Sequence, residues 1–172
     1  MIPMPPVTST IEEGKQYLRK NWEKGVPCPC CGQMVKLYTR HIYARMALDL
    51  IDLYKLDRKN PNQYFHITEI EGNRRSGGGD FAKLVYWGLV VEQKNEDETK
   101  RTSGYWAITK KGRDFVNIKI TVPKSVKIFD GKFFGYSEKH ITMRDALGKN
   151  FDYSELMFGF ENPSRPENER LL

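Results

Sequence analysis

The chain has 172 residues, of which 39% are hydrophobic and 29% charged, enough for one domain of ordinary size or two small ones. Its formal net charge of +6 at pH 7 suits an anionic partner, and no apolar run is long enough to span a bilayer. The N-terminus lacks a basic region followed by an apolar stretch, so we predict a soluble, cytoplasmic protein with no membrane partner.

The first predicted element is a helix that begins after Thr10. Thr10 and Glu13 have the spacing of a capping box, in which each side chain accepts a hydrogen bond from the other residue's backbone. Ile11, Leu18 and Trp22 fall on one helical stripe, which predicts the apolar face of this helix.

All three cysteines lie in the next segment, which reads C-P-C-C-G over residues 28–32. The spacing C-P-x-C-G turns two thiolates toward one metal in zinc knuckles, and such a cluster suits a reducing compartment. We therefore predict Zn²⁺ as a cofactor. The predicted ligands are Cys28, Cys31, Cys30 and His41. His66 or the knuckle of a second protomer are alternative ligands, and reduced cysteines packed against Trp22 are the interpretation without metal.

A longer helix is predicted over residues 39–56, because its apolar residues recur with helical spacing. That stripe consists of Tyr43, Met46, Ala47, Leu50, Ile51 and Tyr54. Arg40, His41 and Arg45 project from the first turns, where cations oppose the helix dipole. We expect an external anion, a partner or the cysteine knuckle to compensate them, and a solvated basic face is the alternative.

A short strand at residues 65–68 and a brief helix at 68–71 lead into the loop GNRRSGGGD, residues 72–80. Glycines there permit unusual backbone angles, and a glycine-rich turn before a helix can expose N–H groups to phosphate. The loop is not a P-loop, because no Gly-Lys-Ser/Thr follows it. A flexible connector is the alternative interpretation.

Residues 80–115 give the clearest indication of the fold. A helix ending at Gly88 is followed by a strand, a charged loop over residues 94–104, a second strand and a new helix opening at Lys110. The predicted buried face of the first helix consists of Phe81, Leu84, Val85 and Gly88. The second strand continues into the pattern I-T-x-x-G-x-x-F, which begins at Ile108 and ends at Phe115.

This order resembles the winged-helix DNA-binding superfamily, here preceded by a CPxCG zinc-knuckle-like motif. The resemblance implies an α+β fold: a winged helix-turn-helix core with an N-terminal helix and cysteine knuckle and a small C-terminal β-hairpin/helix extension. In such a core one helix is presented to DNA and the adjacent hairpin forms the wing.

The character of the sequence changes after residue 117. Alternating residues over 118–128, a turn at Asp130-Gly131 and a return strand at 132–136 predict a hairpin, followed by short helices capped by Thr142 and Asp152. The predicted core of this part is Phe133, Phe134, Phe151, Phe158 and Phe160. The predicted organisation is an N-terminal helix and knuckle segment (1–37), a winged-helix domain (38–117), a C-terminal hairpin with short helices (118–160) and a flexible tail (161–172).

Positive charge is concentrated in two segments, with seven Lys/Arg against one Glu in residues 15–45 and nine Lys/Arg against five acidic residues in 74–113. With the resemblance, this predicts a nucleic-acid-binding regulatory protein that contacts duplex DNA in transcription or replication. The predicted contacts are Arg74, Arg75, Lys83, Lys94, Lys100, Arg101, Lys110 and Lys111. Arg74 and Arg75 are the candidates for base reading, because arginine makes bidentate contacts with guanine. The acidic residues 96–98 depart from an ideal wing, and an ordinary solvated surface is the alternative.

Two other functions fit the same sequence. One is a protein-interaction module that modulates a larger host enzyme or defence complex, since fold alone does not fix function. The chain is also loosely similar to uncharacterised bacteriophage proteins. The other is a metal-dependent nuclease, because Asp80 with residues 92–94 matches the pattern D…E-x-K. A helix cap and a wing strand explain these residues without catalysis, so we predict that the protein is not an enzyme.

Overall fold

A computed structural model describes residues 3–6, 8–72 and 79–159. Its helices are α1 (Ile11–Asn21), α2 (Ala44–Lys59), α3 (Ile67–Glu71), a 3₁₀ helix (Phe81–Trp87), α4 (Lys110–Val116), α5 (Met143–Leu147) and α6 (Tyr153–Phe158). Its strands are β1 (Val26–Pro27), β2 (Met34–Val35), β3 (Tyr38–His41), β4 (Phe65–His66), β5 (Val90–Glu92), β6 (Tyr105–Ile108), β7 (Val122–Pro123), β8 (Ser125–Phe129), β9 (Lys132–Tyr136) and β10 (His140–Ile141). Helices and small antiparallel sheets are mixed, which confirms the predicted α+β class. In the described ranges no helix is both long and apolar enough to cross a membrane.

The chain divides into two compact units that are discontinuous in sequence. Unit 1 consists of Met1–His41 and Ser125–Ser137, and unit 2 of Ile42–Lys124 and Glu138–Leu172. The discontinuity arises because β8 and β9, late in the chain, form a sheet with β3. The predicted division into four consecutive segments stays a prediction.

Helix α1 of unit 1 begins with the predicted capping box. The Glu13 carboxylate accepts from the Thr10 N–H at 2.7 Å, and the Thr10 hydroxyl accepts from the Glu13 N–H at 3.3 Å. The predicted apolar stripe is wrong at Ile11, which is 75% exposed, while Leu18 and Trp22 are half-buried. The buried residues are instead Gly14, Tyr17 and Asn21, the same helical spacing displaced to a neighbouring stripe.

The start of the predicted helix over residues 39–56 is also wrong. Residues Tyr38–His41 form β3, which pairs with β8, and α2 begins only at Ala44. Tyr43 is the residue before α2, and its side chain makes no capping bond, so the true start carries no local sequence signal. Arg40 therefore lies in a strand, with its guanidinium 5.5 Å from the ring of Tyr38. Arg45 does lie in the first turn of α2, but it pairs with Asp49 of the same helix at 3.2 Å, so the expected external anion stays a prediction.

Strands β8 and β9 form the predicted hairpin around Asp130-Gly131, both of which have positive φ. Ile128 pairs with Phe133 but Lys127 pairs with Gly135, so Phe134 is an extra residue in β9. Such a bulge redirects the side chains that follow it.

The bulge separates the aromatic side chains of β9 into two groups. Phe133 and Tyr136 contact each other, with ring centroids 4.6 Å apart. Phe134 instead contacts Trp22 of unit 1, with centroids 4.9 Å apart. The prediction that Phe133, Phe134 and Phe158 are core residues is wrong, because all three are exposed. Phe160 lies outside the described residues.

The core of unit 2 is built on α2. The predicted stripe is confirmed at Met46, Ala47, Leu50 and Ile51, which are all buried. This helix packs against α3, α4, α5, β6 and the 3₁₀ helix. The predicted short helices α5 and α6 are capped by Thr142 and Asp152, as expected.

The segment from Phe81 to Trp87 is a 3₁₀ helix rather than an α-helix. A 3₁₀ helix aligns every third residue, so Phe81, Leu84 and Trp87 are the buried side chains. Val85, predicted on the buried face, is 43% exposed, and Gly88 is exposed as well. Gly88 ends the helix in the left-handed conformation, as the sequence predicts.

The 3₁₀ helix leads into a three-stranded sheet with the order β4-β6-β5. The last strand in sequence, β6, lies in the middle and pairs antiparallel with both neighbours. Along the chain, unit 2 therefore runs α2, β4, α3, the 3₁₀ helix, β5, β6 and α4.

Candidate nucleic-acid interface

The end of the 3₁₀ helix and the start of α4 lie side by side. The Thr109 N–H donates to the Leu89 carbonyl at 3.1 Å, and the Thr109 hydroxyl donates to the Gly88 carbonyl at 2.6 Å. The same hydroxyl accepts from the Gly112 N–H at 3.0 Å and so caps α4. These bonds hold the first turn of α4 against the junction between the 3₁₀ helix and β5.

Several predicted contact residues already have partners within the chain. The Lys83 amine is paired with Asp80, which also accepts a hydrogen bond from the Tyr43 hydroxyl. Lys110 pairs with Asp114 at 2.7 Å and lowers the pKa of that carboxyl. The Lys111 amine donates to the Trp87 carbonyl at 2.8 Å. Phosphate would have to compete with these carboxylates and this carbonyl for the same cations.

The acidic tip of the β5–β6 loop is a structured turn. Asp97 Oδ1 accepts from the hydroxyl and the N–H of Thr99, at 2.6 Å and 3.0 Å, and these bonds lower the pKa of Asp97. Lys100 lies 3.3 Å from the same carboxylate. The tip therefore neutralises one of the three predicted wing cations.

Lys94 and Arg101 are the wing cations that are exposed and have no ion-pair partner in the described part of the chain. Arg74 and Arg75, the predicted base-reading pair, lie outside the described residues, and their role stays a prediction. Lys94 and Arg101 are therefore the most direct structural candidates for phosphate contacts.

The nuclease pattern has a structural explanation at each carboxylate. Asp80 holds Lys83 and Tyr43 at the start of the 3₁₀ helix. Glu92 Oε1 accepts from the Ser103 N–H at 2.8 Å and so joins the two ends of the β5–β6 loop. Both carboxylates are thus engaged in local structure.

The cysteine segment forms a tight turn between β1 and β2. The Gly32 N–H donates to the Cys28 carbonyl at 2.9 Å, and the Cys28 N–H donates to the Gln33 carbonyl at 2.7 Å. The backbone N–H groups of Cys31 and Cys30 lower the pKa of the Cys28 thiol, which favours the thiolate that binds metal. His41 lies on β3, and within the described ranges no three metal-ligating side chains lie together. Zinc binding stays a prediction.

Metal analysis of the purified protein tests that prediction. We expect wild-type protein prepared in zinc-supplemented buffer to retain Zn²⁺ after dialysis, and Cys28→Ser/Cys31→Ser to retain none, because thiolates dominate structural zinc sites. A Cys30→Ser variant determines whether the middle cysteine is also a ligand. Wild-type protein without bound zinc would contradict the prediction.

Sequence reasoning missed a second surface, in unit 1. We call it the aromatic groove, a depression of about 250 Å³ between α1 and the β8–β9 hairpin. Its described lining consists of Lys15, Leu18, Arg19, Trp22, Val35, Phe129, Asp130, Lys132 and Phe134. A local signal for it is the cluster of aromatic and basic residues around the Asp130-Gly131 turn, of which we predicted Phe133 and Phe134 to be core residues.

Comparisons of the chain with protein-family models, with curated proteins and with solved structures found no match. The function proposed below therefore depends on the sequence pattern and the geometry of the chain itself.

Proposed function

We propose that the protein is a nucleic-acid-binding regulatory protein whose unit 2 acts as a winged helix on duplex DNA, in transcription or replication. In this proposal the 3₁₀ helix with Lys83 is presented to the groove. The loop between β5 and β6 is the wing and contacts the backbone.

The order of the elements in unit 2 is the observation that carries the proposal. Three helical segments and a short strand precede a β-hairpin, and the last strand of that hairpin lies between the other two. In helix-turn-helix proteins the second helix of the motif enters the major groove, and in this proposal the 3₁₀ helix takes that place. The hydrogen bonds of Thr109 to Gly88 and Leu89 support a fixed geometry between this helix and α4.

The charge pattern supports contacts to phosphate more than base reading. Lys94 and Arg101 lie on either side of the wing tip and need not break an ion pair to bind an anion. Lys83 and Lys110 would have to give up a carboxylate partner to bind a phosphate. Their contacts would therefore gain less binding free energy than those of Lys94 and Arg101. We therefore expect weak binding with a strong salt dependence and little sequence discrimination from the described residues.

Salt-dependent binding to duplex DNA tests the proposal. Each phosphate contact contributes about −0.9 to the slope of log K against log salt concentration, so Lys94→Gln/Arg101→Gln should make the slope shallower by about 2. The measurement is fluorescence anisotropy with a labelled duplex of about 20 base pairs, between about 50 and 200 mM salt. Arg74→Ala/Arg75→Ala should weaken binding as well.

Lys149→Gln is the matched control, because Lys149 is an exposed lysine of unit 2 outside the predicted site. It should leave the slope within error of the wild type. An identical slope in the Lys94/Arg101 variant and this control, or no binding by the wild type at low salt, would refute the proposal.

A protein-interaction module is the second candidate, and a specific observation favours it. Val91 and Tyr105 are large apolar side chains exposed on the β5–β6 hairpin, where a protein surface could cover them. A protein partner is indicated if a bait of this chain captures the same protein from host lysate before and after nuclease treatment. Capture that nuclease abolishes indicates binding through nucleic acid.

A further inference from the structure

The aromatic groove of unit 1 combines one exposed ring, Phe134, and two half-buried rings, Trp22 and Phe129, with cations that form no ion pair among the described residues. Phe134 is 44% exposed, and its ring meets Trp22 edge-on with centroids 4.9 Å apart. Phe129 lies 5.6 Å from Trp22 at an interplanar angle of 47°. Because no two of these rings stack face to face, they leave ring surface for a flat ligand.

Three cations line the aromatic groove. Lys15, Arg19 and Lys132 are exposed, and none of them has an ion-pair partner in the described part of the chain. The neighbouring Lys127, in contrast, pairs with Glu23 at 2.6 Å. Asp130 is the single carboxylate in the groove's described lining.

The β-bulge in β9 is what creates this combination. In a regular strand Phe134 and Tyr136 would share a face, as alternate residues do. The bulge instead directs Phe134 toward Trp22, while Phe133 and Tyr136 contact each other. Exposed apolar rings surrounded by polar groups mark binding sites more often than packing defects.

We propose that the aromatic groove binds single-stranded nucleic acid. An unstacked base lies against Trp22 and Phe134, and the flanking phosphates contact Lys15, Arg19 and Lys132. Stacking platforms with basic rims are the general solution for single strands, because every base has an apolar face and every linkage carries a negative charge. A duplex does not fit this chemistry, since its bases are already stacked on one another. This site is separate from the duplex contact proposed for unit 2.

Binding of a labelled oligothymidylate of about 15 nucleotides to the full chain tests the proposal. We expect Phe134→Leu, which keeps the apolar volume but removes the ring, to bind roughly tenfold more weakly. Lys132→Gln should make the salt slope shallower by about 0.7, the value for one phosphate contact in a single strand. The oligonucleotide should also quench the fluorescence of Trp22, since Trp87 and Trp106 are buried.

Phe133→Leu is the matched control, because Phe133 is the adjacent residue, is 46% exposed and does not line the groove. It should bind the oligonucleotide as the wild type does. Equal losses in the Phe133 and Phe134 variants, or unchanged affinity in Phe134→Leu, would overturn the proposal.

Two further measurements distinguish single-strand binding at the groove from duplex binding by unit 2 and from protein docking. Phe134→Leu should leave binding of the unit 2 duplex probe unchanged, so failure of the duplex proposal and failure of this one are separate results. The second measurement uses an acidic peptide that contains tryptophan as a competitor of the oligonucleotide. If the peptide displaces the oligonucleotide and Phe134→Leu lowers the affinity for the peptide alone, the groove is a protein-docking site and the proposal is wrong.

Discussion

Replacing Gly112 with alanine should lower the free energy of unfolding by about 3 kcal/mol, the upper part of the range for overpacking. The added Cβ would overlap the Leu89 carbonyl oxygen and lie 2.7 Å from Ile108 Cγ1. The overlapped oxygen belongs to the backbone and accepts hydrogen bonds from the N–H and the hydroxyl of Thr109, so it cannot move without breaking them. In a chain of this length the thermal midpoint should fall by about 10 °C, measured by differential scanning calorimetry.

Gly14→Ala is the control for that experiment, because Gly14 also lies in a helix and is buried. Its added Cβ would meet only Pro29 Cγ at 3.7 Å, an ordinary contact. Alanine has the higher helix propensity, so this variant should be more stable by up to about 1 kcal/mol. A Gly112→Ala protein as stable as the wild type would show that α4 does not depend on this close approach.

The features that sequence predicted well are those determined by residues three or four positions apart. The predicted capping box at Thr10 and the predicted caps at Thr142 and Asp152 each depend on one side chain and the next helical turn. The pattern I-T-x-x-G-x-x-F has the same origin, since Thr109 caps the helix in which Gly112 allows the close approach to Leu89. The turn at Asp130-Gly131 was also predictable, because it depends on two adjacent residues that adopt positive φ.

The features that sequence missed depend on distant partners. Residues Tyr38–His41 read as the start of a helix, and only their pairing with β8 makes them a strand. Local propensity does not show which distant strand a segment pairs with. Tyr43 makes no capping bond at the true start of α2, so the sequence carried no sign that the helix begins later than predicted. Because the 3₁₀ helix has three residues per turn, its buried face contains Trp87 and not Val85, which an α-helix would have placed there.

The sequence identified the cations of the candidate site but did not show which of them are paired with carboxylates. The pairs Lys110–Asp114 and Lys100–Asp97 have helical or turn spacing and could have been recognised in advance. The exposure of Phe134 could not, because it follows from a single extra residue in a strand pairing. Their composition alone predicts that aromatic residues near a hairpin turn are core residues. Whether they are exposed can be seen only in the folded structure.

Replacing Arg113 with leucine should lower the free energy of unfolding by about 3 kcal/mol at pH 7, because it leaves a buried carboxylate without its partner. Arg113 binds Asp57 in a bidentate manner, Nε to Oδ2 at 2.7 Å and Nη2 to Oδ1 at 2.8 Å. Asp57 is buried in the last turns of α2, where the helix dipole disfavours a negative charge. The Asn62 N–H, which donates to Asp57 at 3.1 Å, would be its remaining partner.

The pH dependence distinguishes this ion pair from simple loss of packing. The hydrogen bond from Arg113 holds the pKa of Asp57 below its ordinary value. The stabilisation is therefore fully present above the pKa of the unfolded chain, about 3.9, and is lost as the pH falls through the lower pKa of the folded state. In Arg113→Leu, burial without the arginine raises the pKa of Asp57, so protonation relieves the unpaired charge. The difference from wild type in urea unfolding should thus shrink steadily from pH 7 toward pH 3.

Lys110→Leu gives the matched comparison on the same helix. The Lys110–Asp114 pair is as short, at 2.7 Å, but the lysine side chain is 88% exposed. Exposed pairs contribute at most about 1 kcal/mol, so this variant should change stability little at any pH. If Arg113→Leu and Lys110→Leu had similar effects, or if the Arg113 effect were as large at pH 3 as at pH 7, Asp57 would not depend on Arg113 for its charge. The link between α2 and α4 would then rest on apolar packing, with Phe115 as the next side chain to test.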